Sequence, residues 1–229
     1  MRAADNAGPL VFVEDLSSPE LADADRHHLE RVLRVRPGST ITIADGHGRW
    51  RRAVIDRSVE VVGEIEEDPL PAPPVAIAFA LVKGAKPDLI VQKLTELGVD
   101  RIVPFAAARS VVRWDPDKAQ RSIARLRLVA RAAAMQCLLP RLPVIEDVTD
   151  TTSLAARPGV ALADRDGSPP SLDLPLLLVG PEGGWSEEER QLEAPRVVLG
   201  AQVLRAETAA ITAGVLLTAL RAGVIARNS

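Results

Sequence analysis

The segment of this sequence best suited to bind a ligand is a glycine-rich turn between an apolar run and an acidic one. Residues Leu176–Val179 are apolar, residues 180–184 read Gly-Pro-Glu-Gly-Gly, and residues 187–189 are all glutamate. Glycines let a backbone approach a bound molecule closely. The glutamates would repel a phosphate from the start of the helix that follows. The turn therefore predicts a site for a neutral or cationic ligand, with an ordinary tight turn as the alternative.

A second group of polar side chains, Arg205, Glu207 and Thr208, lies where the last apolar helix is predicted to begin. A helix N-terminus favours a carboxylate, so helix capping alone explains Glu207. Capping does not explain Arg205, because a cation is unfavourable at that end of a helix. Arg205 therefore needs a role besides capping.

The lysines of the chain are concentrated in one short stretch. The chain has four lysines, and Lys83, Lys86 and Lys93 fall within eleven residues. Residues 83–141 hold 12 Lys and Arg against 5 Asp and Glu, whereas residues 1–70 hold 9 against 14, and the whole chain has a net charge of −3. A local positive field of this kind can attract phosphates in an acidic chain. Phosphate contact and a solvated helix face both remain open for the three lysines.

Metal, disulfide and membrane chemistry are not expected. His27 and His28 have no third ligand at a suitable spacing, so no metal site is predicted. Cys137 is the single cysteine, which excludes an internal disulfide. The apolar stretch 208–220 is shorter than the roughly 20 residues that span a bilayer, and the N-terminus lacks a signal-peptide core. We expect a cytoplasmic protein that does not enter a membrane.

A proline-rich segment divides the chain. Residues 68–74 contain four prolines, which favour a stiff linker, and we predict domains at 1–70 and 71–229. The first pattern indicates a small β-barrel with one helix, and the second alternates strands and helices, as a mainly parallel α/β sheet does. Strands are expected at residues 10–13, 40–44, 51–55, 59–65, 75–81, 101–105, 160–163, 174–179 and 196–199, and helices at 23–34, 86–97, 116–138, 187–193 and 206–226.

The motifs occur together in an order that is typical of one family. The segments HHLERVLR, KGAK, QKLTELG, MQC, VGPEGGWSEEE and LGAQVLRAETAA follow one another along the chain. In these segments the sequence closely resembles the ribosomal RNA small subunit methyltransferase E family, of the SPOUT class. The resemblance implies a PUA-like β-barrel that holds RNA, followed by an α/β domain with a trefoil knot. It also implies a homodimer that uses S-adenosylmethionine to methylate N3 of one uridine in 16S ribosomal RNA.

The resemblance assigns roles to particular residues. Arg205 is expected to stabilise the uracil anion, and Glu207 to act as base or to orient the substrate. N3 of uridine carries a proton at neutral pH, so methylation needs that proton removed and the resulting charge stabilised. The methyl-donor pocket is expected at Val179, Gly180, Pro181, Glu182, Gly183, Gly184, Leu199, Gly200, Leu204, Arg205 and Thr208. RNA is expected at His28, Arg31, Arg34, Lys83, Lys86, Lys93 and Arg141.

Some residues depart from the family pattern, and rival functions stay open. Met135 stands where the family commonly has glutamate, and Leu139 stands where an arginine is often found. The N-terminal arm is Ala-rich and more acidic than the Arg-rich arm that is usual in the family. One rival is methylation at uridine C5 through Cys137, whose apolar setting instead predicts an inert thiol. Others are a SPOUT enzyme with another target nucleotide, a non-catalytic RNA-binding protein, and a nucleotide-binding α/β enzyme.

Overall fold

The computed structural model describes residues 8–225 and divides the chain into two compact units. The first unit contains the described residues up to Leu70 together with Arg131–Leu142. The second contains Pro71–Ala130 and the described residues from Pro143 onward. Each unit has its own buried apolar clusters.

The first unit is built on a four-stranded sheet. Its strands run in the order β1-β2-β3-β4, with β1 parallel to β2 and the other neighbours antiparallel. Their bounds are Leu10–Phe12 for β1, Ser39–Ala44 for β2, Arg49–Ile55 for β3 and Val59–Glu67 for β4. The helix predicted at 23–34 is shorter than expected. Helix α1 covers Asp23–His27 and continues as a π-helical turn at His28–Val32, where the Leu33 N–H donates to the His28 carbonyl.

The segment Arg131–Leu142 belongs to the first unit, although the sequence division at residue 70 left it in the second domain. Both terminal nitrogens of Arg131 donate to the carboxylate of Asp25, at 2.8 and 2.7 Å, and its guanidinium lies 5.5 Å from the centre of the Phe12 ring. Arg141 donates to the Asp68 carbonyl at 2.9 Å. A buried carboxylate needs such a partner, so these contacts, which are distant in sequence, tie the segment to the first sheet.

The second unit is a parallel sheet flanked by helices, as the alternating pattern predicts. Its strand order is β11-β9-β10-β5-β6-β7, and β8 also pairs with β6. The strands are Ala76–Ala80 (β5), Arg101–Ala106 (β6), Val144–Ile145 (β7), Thr149–Asp150 (β8), Val160–Ser168 (β9), Leu176–Val179 (β10) and Arg196–Val197 (β11). The helices are Lys86–Glu96 (α2), Pro116–Gln136 (α3), Thr151–Ala155 (α4), Glu187–Arg190 (α5) and Ala206–Arg221 (α6).

The core of the second unit lies on both faces of this sheet. In β5, Ile77 and Phe79 pack into the cluster that α2 and α6 cover, while Ala78 and Ala80 pack into the opposite cluster, which includes Trp185. This alternation follows from the two-residue period of a strand. A strand that is buried on both faces is apolar throughout, which is why β5 and β10 could be found from the sequence.

Strand order fixes where a ligand site is to be sought. From β5 the chain first moves to β6 on one side, and later adds β10 on the other side. Ligands of open α/β sheets bind beyond the carboxyl ends of strands at such a switch point. The glycine-rich turn after β10 and the lysine-rich segment after β5 both lie at this edge.

Other features of the second unit depart from the sequence prediction or were not predicted. Strands β7 and β8 and helix α4 were not anticipated, since each has five residues or fewer. Helix α6 ends at Arg221, and the predicted end at Ala226 falls outside the described residues. No helix within residues 8–225 is long and apolar enough to cross a membrane. The trefoil knot stays a prediction.

Candidate methyl-donor and catalytic site

A cavity of about 300 Å³ lies at the carboxyl ends of β10 and β11 and beside the middle of β9. Its wall combines the glycine-rich turn after β10 with the turn that leads into α6. Eight of the residues predicted for the donor pocket line it: Val179, Gly180, Pro181, Glu182, Gly184, Leu199, Gly200 and Leu204. Gly183, Arg205 and Thr208, which were predicted with them, are not part of this wall.

Several residues of the wall were not predicted, and Trp185 is the most informative of them. Its indole N–H donates to the Ala163 carbonyl at 3.0 Å, and its ring stacks on Phe105 with centroids 6.2 Å apart. A Cβ atom on Gly180 would come within 3.0 Å of the indole ring. Trp185 therefore fixes the turn against β9, and Gly180 is needed for that close approach. The motif GGWSEEE contains this tryptophan, but its presence in the motif does not predict which residues it contacts. Ala163, Asp164, Arg165, Arg190, Val198, Gln202, Val203, Ala206 and Ala209 also line the cavity.

Hydrogen bonds of Glu189 stabilise the segment that follows the glycine-rich turn. Ser186 and Glu189 form a capping box at the start of α5. The buried carboxylate also accepts hydrogen bonds from the Ala108 N–H at 3.0 Å and from the Thr151 hydroxyl at 2.6 Å. Burial alone would raise the pKa of Glu189, but the bonds from Ser186, Thr151 and Ala108 outweigh burial and leave the pKa below its ordinary value. The ionised carboxylate of Glu189 thus connects three segments: the loop after β6, the start of α4 and the start of α5.

Arg109 is a further contact of the turn that sequence reasoning missed. Its guanidinium donates to the Gly183 carbonyl at 3.2 Å. The positive charge of Arg109 also contributes to the lowered pKa of Glu189. Arg109 lies in the loop after β6, so no local pattern connects it with residue 183.

Lys86 joins the cavity to the start of α6. Its Nζ lies 2.7 Å from Glu182 Oε1 and 3.1 Å from Glu207 Oε2. The hydrogen bond to Glu182 and the ion pair with Glu207 raise the pKa of Lys86 above its usual value, and the lysine is charged at neutral pH. Lys86 was predicted as an RNA contact. In the structure its charge is instead engaged with two carboxylates of the site.

Arg205 and Glu207 lie together at the first turn of α6. Arg205 is the N-cap residue with an extended backbone, its carbonyl accepts the Ala209 N–H at 2.8 Å, and its side chain is exposed. Burial tends to raise the pKa of Glu207, but its own backbone N–H, Lys86 and the charge of Arg205 hold the pKa below the ordinary value. The pair therefore offers an accessible cation and an ionised carboxylate beside the cavity.

The remaining predicted RNA contacts are spread over both units. In the first unit, Arg31 and Arg34 are exposed and His28 is half-buried, all in or just after the π-helical turn. The Arg141 guanidinium is occupied by the Asp68 carbonyl and lies against Gly48. In the second unit Lys93 pairs with Glu96 at 2.8 Å, while Lys83 is exposed. RNA contact stays a prediction for all of them.

No cluster of three or more His, Cys, Asp or Glu residues that could hold a metal occurs within residues 8–225. The site instead offers a cavity whose rim carries carboxylates. Glu182 is exposed at that rim, and the acidic first turn of α5 follows the same glycine-rich turn. Apolar side chains such as Val179, Leu199 and Leu204 supply the wall. Apolar walls with a few polar groups suit a small organic ligand. The polar groups at the cavity carry both signs, because Glu182 pairs with Lys86 and Asp164 with Arg190, which suits a ligand that itself carries positive and negative groups. S-adenosylmethionine, with an apolar-faced adenine, a sulfonium and an ammonium group, fits this donor set.

Family models match most of the chain. Residues 68–218 match the RNA methyltransferase domain, and residues 21–62 match the RNA methyltransferase PUA domain. The first match covers more than half of the chain and includes the whole cavity.

Curated relatives agree with the family models. The ribosomal RNA small subunit methyltransferase E of Mycobacterium bovis is 31% identical over 225 residues, covering 87% of this chain and 86% of its own length. The enzyme of the same name from Bacillus subtilis is 30% identical over 232 residues, covering 88% and 90%.

Solved structures have the same fold. A methyltransferase from Legionella pneumophila, determined with bound S-adenosylmethionine, superposes with a TM-score of 0.82 at 26% identity, covering 93% of this chain and 98% of that one. A ribosomal RNA small subunit methyltransferase E from Neisseria gonorrhoeae, also bound to S-adenosylmethionine, gives a TM-score of 0.77 at 28% identity, covering 93% and 98%.

Proposed function

Because the chain belongs to the ribosomal RNA small subunit methyltransferase E family, we propose that it transfers a methyl group from S-adenosylmethionine to N3 of one uridine in 16S ribosomal RNA. The observation that carries this proposal is the position of Lys86. Its ammonium links Glu182 on the wall of the donor cavity with Glu207 at the start of α6. The methyl-donor cavity and the candidate catalytic pair are therefore parts of one site.

The donor cavity has the properties that this cofactor needs. S-adenosylmethionine supplies an electrophilic methyl group on a sulfonium. Val179, Leu199 and Leu204 offer apolar surface for the adenine, and the glycine-rich turn offers backbone groups at close range. Glu182, which is paired with Lys86, and Asp164, which is paired with Arg190, place charges of both signs at the cavity, and these suit the ammonium and carboxylate of the methionine part.

The acceptor chemistry determines the roles of Arg205 and Glu207. Uracil N3 becomes nucleophilic only when it loses its proton, and the negative charge then spreads onto O2 and O4. Arg205 has an exposed guanidinium that stabilises this charge as it develops. Glu207 is ionised, but its lowered pKa makes it a weak base at neutral pH. We therefore assign Glu207 the role of orienting the uracil and Lys86, and Arg205 the larger part of the activation. The N3 proton leaves to solvent water, and N3 then takes the methyl group as the S–CH3 bond of the sulfonium breaks and S-adenosylhomocysteine is released.

The biological setting follows from the substrate. The PUA-like first unit, with Arg31 and Arg34 exposed, would hold RNA outside the donor site. Ribosomal RNA as substrate implies the cytoplasm. We further propose that the protein acts as a homodimer, because α6 keeps partly exposed apolar residues at Ile211, Val215 and Ala219 after its inner face is buried. These three are four residues apart and share one face.

The proposal is tested by methyl transfer from labelled S-adenosylmethionine to small ribosomal subunits from cells that lack this modification. The wild-type protein should label the subunits, and Arg205→Gln should lower the single-turnover rate by about 100-fold with donor binding unchanged. Arg121→Gln, which changes an exposed arginine of α3 that lines neither the donor cavity nor the cavity beside α3, is the matched control. Absence of both labelling and donor binding would refute the enzymatic function.

A further inference from the structure

A second cavity of the second unit has no assigned function. It measures about 330 Å³ and lies where β5 ends, between the start of α2 and one side of α3. The residues that matter here are Lys83, Asp88, Trp114, Lys118, Ser122 and Arg125. None of its lining residues is shared with the donor cavity.

The charges of this cavity favour an anion. Three cations and one carboxylate line it, and the carboxylate of Asp88 is paired with Arg125. Within residues 8–225 no ion pair joins Lys83 or Lys118 to a carboxylate, and both lysines are exposed. Two ammonium groups at one cavity suit the oxygens of a phosphate, and the hydroxyl of Ser122 adds a donor.

The aromatic side chain of the cavity favours a base. The chain has three Trp, three Phe and no Tyr. Five of these six rings are less than 10% exposed, including Trp50 at 0% and Trp185 at 3%. Trp114 is the exception, because it is partly exposed and lines the cavity. Trp114 packs in part against the apolar core of the second unit, and the part of the indole that remains exposed next to the cations offers a surface on which an unpaired base can stack.

We propose that this cavity binds a nucleotide of the RNA substrate, with its phosphate on Lys83 and Lys118 and its base against Trp114. Lys83 lies three residues before Lys86, which contacts Glu182 and Glu207 in the donor site. The bound nucleotide is therefore a close neighbour of the target uridine along the RNA and not the target itself. This inference rests on the proposed RNA methyltransferase function and adds a subsite to it.

The phosphate contacts are tested by the salt dependence of binding to undermethylated 16S RNA. Each lost phosphate contact lowers the slope of log K against log salt by about 0.9 for a duplex and about 0.7 for a single strand. Lys83→Gln and Lys118→Gln should each lower the slope by about 0.7–0.9, and the double variant by about twice that. Arg127→Gln is the matched control, because Arg127 is also on α3 but pairs with Asp147 and does not line the cavity.

The stacking contact is tested separately with Trp114→Leu. Loss of a stacked base should weaken RNA binding about tenfold at every salt concentration and leave the slope unchanged. Binding of S-adenosylmethionine by calorimetry and the thermal unfolding temperature show whether the variant is folded. If Trp114→Leu is unstable, the lysine variants, which alter only exposed side chains, decide the question.

The outcomes separate this inference from the function on which it rests. If the wild-type protein methylates RNA while the double lysine variant keeps the wild-type slope, the nucleotide subsite is wrong and the methyltransferase function stands. If the wild-type protein neither binds nor methylates the RNA, the proposed function fails and the subsite fails with it. A lowered slope for the double variant, with an unchanged slope for Arg127→Gln, supports the subsite.

Discussion

Glu207 illustrates how a side chain can be identified from the sequence while its role depends on contacts that are distant in the chain. Its place at a helix start predicts an ionised carboxylate. The partner that decides its chemistry is Lys86, which lies 121 residues earlier and 3.1 Å away. Because Lys86 and Arg205 hold the pKa of Glu207 low, the carboxylate is better suited to orient groups than to retain a proton.

The assignment of Glu207 as an orienting carboxylate gives a prediction for its partner Lys86. Lys86→Met removes the charge that joins Glu182 to Glu207, so we expect a lower methyl-transfer rate at saturating donor and RNA, by about tenfold or more. Lys93→Met, on the same helix, is the control for charge loss on α2, because within residues 8–225 the ion pair of Lys93 is with Glu96. If the two variants show equal effects that both appear in RNA affinity and not in the rate, Lys86 acts as a phosphate contact after all.

Glu189 gives a second prediction, which concerns stability and pH. Since the pKa of Glu189 is lower in the folded protein than its ordinary value of 4.5, its stabilising effect is present above pH 4.5 and is lost as pH falls through the folded pKa. Glu189→Gln should lower the free energy of unfolding by about 1–3 kcal/mol at pH 7. The difference from the wild-type protein should shrink below pH 4.5 in chemical denaturation. A difference that is constant from pH 7 to pH 3 would contradict an ionised Glu189.

At the residue scale, the sequence predicts those parts of the site that are local. The turn 180–184, the capping box of Ser186 with Glu189, and the position of Arg205 are each contained in a short segment. Arg109 on the Gly183 carbonyl was not predictable in this way. Its contact partner lies 74 residues away in the chain, and an arginine in a loop has no periodic pattern.

The positions of helices α2 and α6 depend on close packing as well as on the apolar pattern of the sequence. Helix α2 ends in a Schellman arrangement, in which the Val99 N–H donates to the Leu94 carbonyl and the Gly98 N–H to the Thr95 carbonyl. Gly98 adopts a φ of 75° at this cap, a conformation that glycine accepts readily. The sequence pattern gives no reason for a glycine at position 214 of α6. In the structure, a Cβ atom at this position would lie 2.5 Å from Leu94 Cδ2. Helices α2 and α6 can touch because residue 214 has no side chain.

This contact gives a prediction at the element scale. Gly214→Val forces Leu94 out of its position, so we expect it to destabilise the protein by about 1–3 kcal/mol through overpacking. Ala124→Val adds a valine at an exposed position of α3 and controls for the lower helix propensity of valine. Equal unfolding free energies for the two variants would show that α6 does not pack closely on α2.

Element prediction worked where apolar patterning is strong and failed where elements are short. The buried strands β5, β6 and β10 and the long helices α2, α3 and α6 were all anticipated near their observed positions. Strands β7 and β8 have two residues each and helix α4 has five, which is too few for a periodicity. Helix α1 continues as a π-helical turn from His28 onward. In that turn a backbone hydrogen bond joins residues five apart, Leu33 and His28, instead of four apart as in an α-helix.

At the scale of the whole molecule, one helix contributes to two compact units. Residues Pro116–Ala130 of α3 pack in the second unit, while the last residues of that helix belong to the first. The proline-rich linker at 68–74 marks one crossing of the chain between units. The other two crossings, near Arg131 and Pro143, have no composition shift, so the sequence division at residue 70 missed them.

The homodimer is the prediction at this scale. Each chain has a mass of 24.5 kDa, and we expect light scattering to give twice this value at micromolar concentration. Val215, which is 42% exposed on α6, is the position for a test. Val215→Lys should yield a monomer that unfolds cooperatively, whereas Val203→Lys, at an exposed valine before α6, should remain dimeric. A wild-type monomer would refute the homodimer.

The measurement that tests the central claim most directly is the identity of the methylated nucleoside. Undermethylated small subunits are treated with wild-type protein and labelled S-adenosylmethionine, digested to nucleosides and separated by chromatography with mass detection. We predict label in N3-methyluridine, from wild-type protein and equally from Cys137→Ser. Label in C5-methyluridine that is lost in Cys137→Ser, or label in a different nucleoside, would contradict uridine N3 as the target.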